Sequence, residues 1–569
     1  MIAALVGLLC AVVPEEREAS FDIWDWTAPC QDLALFETWT ADLVAMGFNR
    51  IEISVPWKHV EPRRGQYEIK WLSERLAVCK RHGAGMRLRI NSYYGGATPD
   101  WYDGDTWVAA DGSPVPQKPP SIMDERFWSR FAPLCTTLAR ACAGEDVYFS
   151  PFIGIHAELK WSEWWSYDPS TLAAWRKAIA SPRPAWLRDV VERNTPLPEK
   201  PPVPGPTQGV PDRNPANRAW IAFREQCWRE AVERFAAAVR AGDPKARLSA
   251  PLGESYRKES AAMSNLDYWG LSRGMDQIVH SYDFFWHVKD DAWTAATAVD
   301  SFRGIAQRPV QFEFDAYQST IGLGYSHGQL LAIGRQAAQA GAGLKVANYS
   351  YNAEMPSTFP LLRDLVSVFA EHGENVPHGT NRLVSRKDTV LLFLSKWTHY
   401  SYREANQWVH DAQFGVYKLF RDLEIPVRIV NEDNLSEDLS GYRLLFKAFS
   451  PRALLPQSAQ ERLDRHPMPV IADLEGIPPL YAESAPLPAE GIARLNVAPA
   501  NGPIGPTDLA SMGNGYAFAL NTAHHKLAAH KPGSVILGYP IGLLYLRDSE
   551  PRAHREMIRW AMERAGTSR

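Results

Sequence analysis

Two glutamates give this 569-residue chain its clearest chemical signature. The run Ile155-His156-Ala157-Glu158 leads into Leu159-Lys160-Trp161, and the run Gln311-Phe312-Glu313-Phe314-Asp315 sets a second acid among apolar neighbours. A carboxylate ending an apolar run is costly to bury unless it is paired or used. Two facing carboxylates are what glycoside hydrolysis requires: one protonates the leaving oxygen, the other attacks or activates water. Trp161, Trp164 and Trp165 give Glu158 an apolar setting, which would raise its pKa and suit a general acid. Glu313 has Arg89, His280 and Tyr282 as expected partners, and cations and hydroxyl donors favour the ionised form of a nucleophile. For the pair, the plain alternative is ordinary salt bridging. Glu254 and Asp283 are competing acids, ranked lower because their surroundings are more loop-like. Trp57, Trp101, Trp161, Tyr282 and Trp286 fall near the same strand ends, where flat rings can stack on sugars. Each ring alone reads better as packing; the cluster says more.

These residues converge only if the chain folds to bring them together. From residue 21 onward short apolar runs alternate with helical-period segments. Strands are expected at 21–26, 50–55, 86–91, 152–158, 247–252, 277–282, 309–314 and 344–349. Helices are expected at 33–46, 71–82, 127–142, 219–240, 292–305 and 328–340. Eight strands alternating with helices predict a (β/α)8 TIM barrel, whose active sites lie at the C-terminal strand ends. Strand phase agrees: Ile51, Ile53 and Val55 oppose Arg50, Glu52 and Ser54, while Met86, Leu88 and Ile90 oppose Arg87, Arg89 and Asn91. Val310, Phe312 and Phe314 likewise oppose Gln311, Glu313 and Asp315. The lumen would then be unusually polar, with Glu52 and Arg87 most simply neutralising one another.

The stretch 195–215 (TPLPEKPPVPGPTQGVPDRNP) is too rich in Pro for helix or central strand. It reads as a domain linker or as a loop inserted within one domain, here placed at about 181–216. The catalytic barrel is expected over 21–375. Over 376–569 a second alternating region predicts a smaller doubly wound, flavodoxin-like or amidotransferase-like α/β domain. Its strands are expected at 389–394, 426–429, 444–446 and 469–473, its helices at 414–423, 456–464 and 551–565. It carries neither GxGxxG nor a Walker sequence, and no Cys lies beyond Cys227, which excludes a cysteine-dependent amidotransferase. An oligomerising role is the default.

Composition narrows the partners. The chain is 45% hydrophobic with a formal net charge of −4, a globular balance without the basic excess of a nucleic-acid binder. No apolar run reaches the ~20 residues of a membrane span. Residues 1–20 are expected to form an apolar leader, which favours export over a cytoplasmic location although a basic start is missing. The six cysteines show no metal-ligand spacing and are read as buried thiols, with one or two disulfides open if the chain is exported. No cofactor and no metal are expected.

At this level the residues resemble clan A glycoside hydrolases, most closely the family 42 β-galactosidases. Phe36-Glu37-Thr38-Trp39, Asp42-Leu43, Met46-Gly47-Phe48-Asn49, Val55-Pro56-Trp57 and Glu61-Pro62 with Gly65 and Tyr67 look like that family's first two strands and their link. Pro99-Asp100-Trp101 with Asp111-Gly112 is similar to its third-strand loop, and the excursion 186–215 to its long fourth-strand loop. The resemblance covers residues 21–350, and the region after it looks like the family's trimerisation domain. It implies an exo-acting retaining β-glycosidase, β-galactoside being the first expectation. Glu158 corresponds to the acid/base, Glu313 to the nucleophile, and His280 and Tyr282 to the positions that hold it. Substrate contacts are expected from Trp57, Arg89, Asn91, His156, Trp161 and Trp286, with a carbohydrate as partner and a homotrimer as assembly. There is one clear departure. The family places an Asn that grips the 2-hydroxyl before the acid/base, and here stands Ala157, so His156 or Asn91 would have to substitute. The family's cysteine metal cluster and small C-terminal β domain have no counterpart. The run Ala157-Glu158-Leu159-Lys160 also resembles the acid segment of inverting β-amylases, whose carboxylates would stand about 6.5–9.5 Å apart rather than about 5–5.5 Å.

Overall fold

Eight short parallel strands close into a barrel in the computed structural model. The structure describes residues 18–23, 28–93, 96–153, 166–205, 207, 211–253, 267–272, 274–281, 293–315, 326–348, 355–373, 385–403, 406–466, 468–473, 528–531, 534–537, 541–547, 552–563 and 565. The strands are β1 (Ala19–Ile23), β2 (Arg50–Pro56), β3 (Gly85–Asn91), β4 (Val147–Phe152), β5 (Arg247–Gly253), β6 (Gln277–Ser281), β7 (Val310–Asp315) and β8 (Gly343–Asn348). Each pairs with the next, and β8 returns to β1.

Six strands lie within a residue of their expected bounds; two differ. β4 starts at Val147, five residues before the expected start, and ends where that strand was to begin. Ser150-Pro151 interrupts its sequence, and Pro within a run argues against a central strand. The fold tolerates it because β4 pairs with β5 only at Tyr148 and Phe149, so no ladder bond on that side needs a donor from Pro151. β1 covers 19–23 rather than 21–26. The expected leader of 1–20 therefore ran too far: Ala19 and Ser20 are strand residues, and Glu18 pairs with Arg50 at 2.8 Å beneath them.

Helices between the strands start where side chains satisfy their free N–H groups. Asp32 caps Leu33–Ala45, Asp124 caps Glu125–Ala141, and Asn214 followed by Pro215 opens the 28-residue helix Pro215–Gly242. The segment 181–216 lies between β4 and β5, so it is an excursion within the barrel domain. Trp175 Nε1 donates to Pro198 O at 3.0 Å and the Tyr167 hydroxyl to Pro202 O at 2.8 Å. Beneath them Trp175, Trp220 and Phe223 form an aromatic bed. Cys30, Cys79, Cys135, Cys142 and Cys227 are buried thiols. No helix among the described residues is long and apolar enough to cross a membrane.

The second sheet runs β10 (Val427–Val430), β9 (Val390–Leu394), β11 (Leu444–Ala448), β12 (Val470–Asp473), β14 (Ser534–Leu537), β13 (Ala528–Lys531). All pairs are parallel except the edge pair β13–β14. β13 (AAHK) and β14 (SVIL) are strands that the sequence reading does not anticipate. Leu391, Leu392, Phe393, Leu444, Leu445 and Phe446 are fully buried, as strands covered on both faces require.

One contact of this domain with the barrel runs through the helix Lys396–Tyr402, which follows β9; another joins Tyr417 to Asp300 at 2.6 Å and Asn434 Nδ2 to Ile305 O at 3.0 Å. Trp397 and Tyr400 pack with Ile221 and Ala222 of the helix Pro215–Gly242, and the Arg218 guanidinium lies 4.8 Å over the Trp397 ring. Lys396 Nζ sits 2.6 Å from Asp267 and 3.4 Å from Glu225. The excursion is tied down from the same side: Asp212 N donates to Ser401 O at 2.7 Å, Thr207 Oγ1 to Tyr402 O at 2.9 Å, and Arg403 pairs with Asp212.

Candidate active site

Strand alternation sends the apolar residues of β2, β3 and β7 toward the helices and their polar partners into the lumen. Phe314 packs outward on Phe369 at 6.3 Å between ring centres, while Gln311 accepts a hydrogen bond from Ser20 Oγ across the barrel at 3.1 Å. Glu313 shares the phase of Gln311, and its side chain is 3% exposed. Lys345 stands in register with it on β8, and its ammonium contacts the Glu313 carboxylate directly.

The rest of the lumen is a continuous ionic layer. Lys345 Nζ also reaches Glu52 at 3.1 Å and Asp22 at 3.7 Å. Glu52 accepts from Arg87 at 2.8 Å and faces Arg89 Nε at 3.2 Å; Arg89 also holds Asp22 at 2.6 Å. Toward the N-terminal end, Arg87 contacts Glu18 at 2.5 Å and Gln277 at 2.6 Å. Four carboxylates (Glu18, Asp22, Glu52, Glu313) thus meet four cations (Arg50, Arg87, Arg89, Lys345). The plain expectation for Glu52 and Arg87, mutual neutralisation, is what the geometry gives.

Their charge states follow from burial set against this pairing. Burial alone would raise Glu52, yet Lys345, Arg87 and Arg89 outweigh it and hold the carboxyl down at about 2. Asp22 goes the other way. Burial lifts it to about 7 against Arg89 and Lys345, with Glu52 and Glu313 adding repulsion. Burial opposes the charge on Lys345, but Glu313, Glu52 and Asp22 raise it above the ordinary lysine value, so it stays cationic. The arrangement presents an acid on β7 in direct contact with a cation on β8.

Of the other expected site residues, Arg89 is in the lumen as described. Asn91 ends β3, is 2% exposed, and its Oδ1 accepts from Tyr93 N at 3.1 Å. His280 stands in β6 in register with Leu252 and Phe312; the position in register with Glu313 is Ser281. Glu158, His156, Trp161, Tyr282 and Trp286 lie outside the described residues, as do the competing acids Glu254 and Asp283. Trp57 requires a correction. It is fully buried, donates from Nε1 to Glu61 at 2.7 Å, and is enclosed by Trp101, Tyr102, Phe127 and Phe131, so it offers no face for stacking. Glu61 in turn accepts from Gly65 N at 2.7 Å, and its backbone carbonyl accepts from Trp101 at 2.8 Å. The Trp57/Glu61/Gly65 spacing is therefore a staple of the β2 loop.

Sequence reasoning missed Lys345 and Asp22. Strand phase carried the signal: in GLKVAN the lysine alternates with Leu344 and Val346, and in ASFDI the aspartate alternates with Phe21 and Ile23. Among the described residues no group of three or more His, Cys, Asp or Glu is placed to hold a metal.

With barrel and lumen established, the class of fold is a TIM barrel followed by a mainly parallel α/β sheet. This is the fold of solved glycoside hydrolases. A β-galactosidase from the psychrophilic Marinomonas ef1 superposes with a TM-score of 0.64 at 13% identity, covering 96% of this chain and 91% of that one. The GH42 β-galactosidase Gan42B from G. stearothermophilus gives 0.61 at 14% identity, covering 81% of this chain and 72% of that one. The exo-β-1,4-mannosidase Op5Man5 from Opitutaceae bacterium strain TAV5 gives 0.55 at 13% identity, covering 96% of both chains. No protein-family model matches the sequence, and no curated protein matches it significantly.

Proposed function

We propose that this protein is a retaining exo-β-glycosidase acting by double displacement. The observation that carries the reading is Glu313: a buried carboxylate on β7 of a TIM barrel, in contact with a lysine that favours its ionised form. In this reading Glu313 attacks the anomeric carbon while Glu158 protonates the departing oxygen. Glu158 then deprotonates the water that releases the sugar. The names of the similar structures, β-galactosidases and an exo-β-mannosidase, support a terminal β-linked sugar as substrate. β-Galactoside is the first choice; Ala157, in place of an Asn that would grip the 2-hydroxyl, makes another β-linked sugar nearly as good a choice. The second domain is read as the oligomerising unit, a trimer being the assembly the resemblance implies.

The test is the anomeric outcome by proton NMR on a panel of aryl β-glycosides, with Glu158→Gln and Glu313→Gln beside the native protein. Retention in the native protein, lost in both variants, is expected, and the panel names the sugar. Inversion would refute double displacement and favour the β-amylase-like mechanism. Failure to turn over any β-glycoside would refute the activity.

A further inference from the structure

Three carboxylates converge on one ammonium in the barrel lumen, and only one of them has a part in the proposed chemistry. We propose that Lys345 is the positioning residue of the site, fixing Glu313 as an aimed carboxylate by tying it to Glu52 and Asp22. The inference rests on the reading of Glu313 as nucleophile.

The geometry separates Lys345 from the other lumen cations. Arg50 is held by Glu18 at 2.8 Å and Asp146 at 3.1 Å, and Arg87 by Glu18 and Glu52. Arg89 is held by Asp22 and Glu52. Lys345 contacts the Glu313 carboxylate directly. An ammonium is a compact charge with three donors, and here three acids, from β1, β2 and β7, surround it. Arginine's planar fork would suit two coplanar acceptors better than three spread around a point. The contact is also short in register: Glu313 and Lys345 are paired residues of adjacent strands, so the backbone ladder itself sets their separation.

Chemistry gives the tie a use. The nucleophile must be ionised to attack, and it loses its charge when its oxygen bonds to the anomeric carbon. Lys345 then still has Glu52 at 3.1 Å and Asp22 at 3.7 Å, so it is not left buried without a counter-charge. Lys345 from β8 joins Glu313 to a charged cluster of Asp22 from β1, Glu52 from β2 and Arg89 from β3.

The experiment is to compare Lys345→Met and Lys345→Arg with the native protein. Removing the cation makes Glu313 harder to ionise, so the acid limb of kcat/KM should move to higher pH by about one to three units. Activity should recover toward alkaline pH, and Lys345→Arg should restore the limb while lowering kcat through altered geometry. A merely structural lysine would lower activity at every pH with the limb in place, which would overturn the proposal. Titration of Glu313 by carboxyl 13C NMR, assigned with Glu313→Gln, gives the same comparison without substrate. If the native protein cleaves no β-glycoside, the functional reading falls, and an unmoved Glu313 titration would separately overturn the Lys345 tie. Should Lys345→Met fail to fold, Asp22→Asn/Lys345→Met, which removes one charge of each sign, carries the same titration.

Discussion

Lys396→Met removes the cation on which two domains meet. Its Nζ lies 2.6 Å from Asp267, 3.4 Å from Glu225 and 3.6 Å from Asp433, and its side chain is 5% exposed. Taking one partner from a buried ion pair costs about 3–5 kcal/mol, because the remaining charge is left uncompensated. Two features place this variant at the lower end. Asp267 keeps Arg229 at 3.2 Å and Gly270 N at 3.0 Å. Glu225, which burial lifts to about 7 against the pull of Lys396, can take up a proton and keeps the Tyr400 hydroxyl at 2.5 Å. The expected loss is therefore about 3 kcal/mol at pH 7.5 and less at pH 5.5, where Glu225 is already protonated. For a cooperative unit of 150–250 residues this lowers the midpoint by about 6–12 °C. Scanning calorimetry of Lys396→Met, Glu225→Gln and the double variant measures it. The double variant should lose at least about 1 kcal/mol less than the sum of the single losses, since the two groups touch. A midpoint within about 2 °C of native, or strict additivity, would refute the argument that this contact stabilises the domain interface.

Two further outcomes follow from the packing and the charges. Trp57→Ala should cost about 3–5 kcal/mol by the cavity alone and also orphan Glu61; a urea midpoint read beside kcat/KM checks it, and a tenfold loss of activity at native stability would restore Trp57 to the site. Stability should fall as pH rises from about 5 to 7. Burial raises Asp22, Glu225, Glu432 and Asp473 to about 7, so the folded state holds protons that the unfolded chain has released, and that stability is lost through their folded values. At ~1.4 kcal/mol per pH unit, one unit realised at each of the four amounts to ~5 kcal/mol. The groups held low, Glu52 and Asp267 at about 2, lose their contribution only below pH 4 and leave this window untouched. Lys447, pushed by burial to about 7, works in the opposite sense above pH 7, so the decline should stop there. Urea melts from pH 5 to 8 decide it; a flat or rising profile between 5 and 7 would refute the burial argument.

What could be read in the sequence depended on how local the signal was. The barrel was legible because alternation is a short-range property: Ile51/Glu52/Ile53 and Phe312/Glu313/Phe314 announce their two faces within three residues. β4 was misplaced because Pro151, two residues after Val147-Tyr148-Phe149, points away from a strand, and the truncated pairing with β5 makes that proline acceptable. Trp57 is expected at the site from its place near a strand end, whereas its burial depends on Trp101, Phe127 and Phe131, which come from later segments. Lys345 and Asp22 were present in the same alternation but are 323 residues apart in the chain. Nothing local says that their side chains meet. Closure of β8 onto β1, with Ser20 in register with Lys345, brings them together.

The cost of that meeting bears on why it exists. A TIM barrel lumen is ordinarily filled by layers of branched apolar side chains. Here Asp22, Glu52, Arg87, Arg89 and Lys345 occupy it at 2% exposure or less. Charges taken out of water recover their desolvation only when geometry is good, and well-packed apolar replacements are often as stable or more so. Stability alone therefore does not require an ionic lumen. An apolar one could not hold a carboxylate ionised on β7, because an isolated buried acid takes up a proton instead. Glu52, satisfied by three cations, and Asp22, held by Arg89, complete the setting in which Lys345 carries a full charge beside Glu313. On this argument the layer is built from its upper end downward. Its lower members, Arg87 with Glu18 and Gln277, complete the pairing that the upper contact demands, and replacing them should move stability before it moves the acid limb of catalysis.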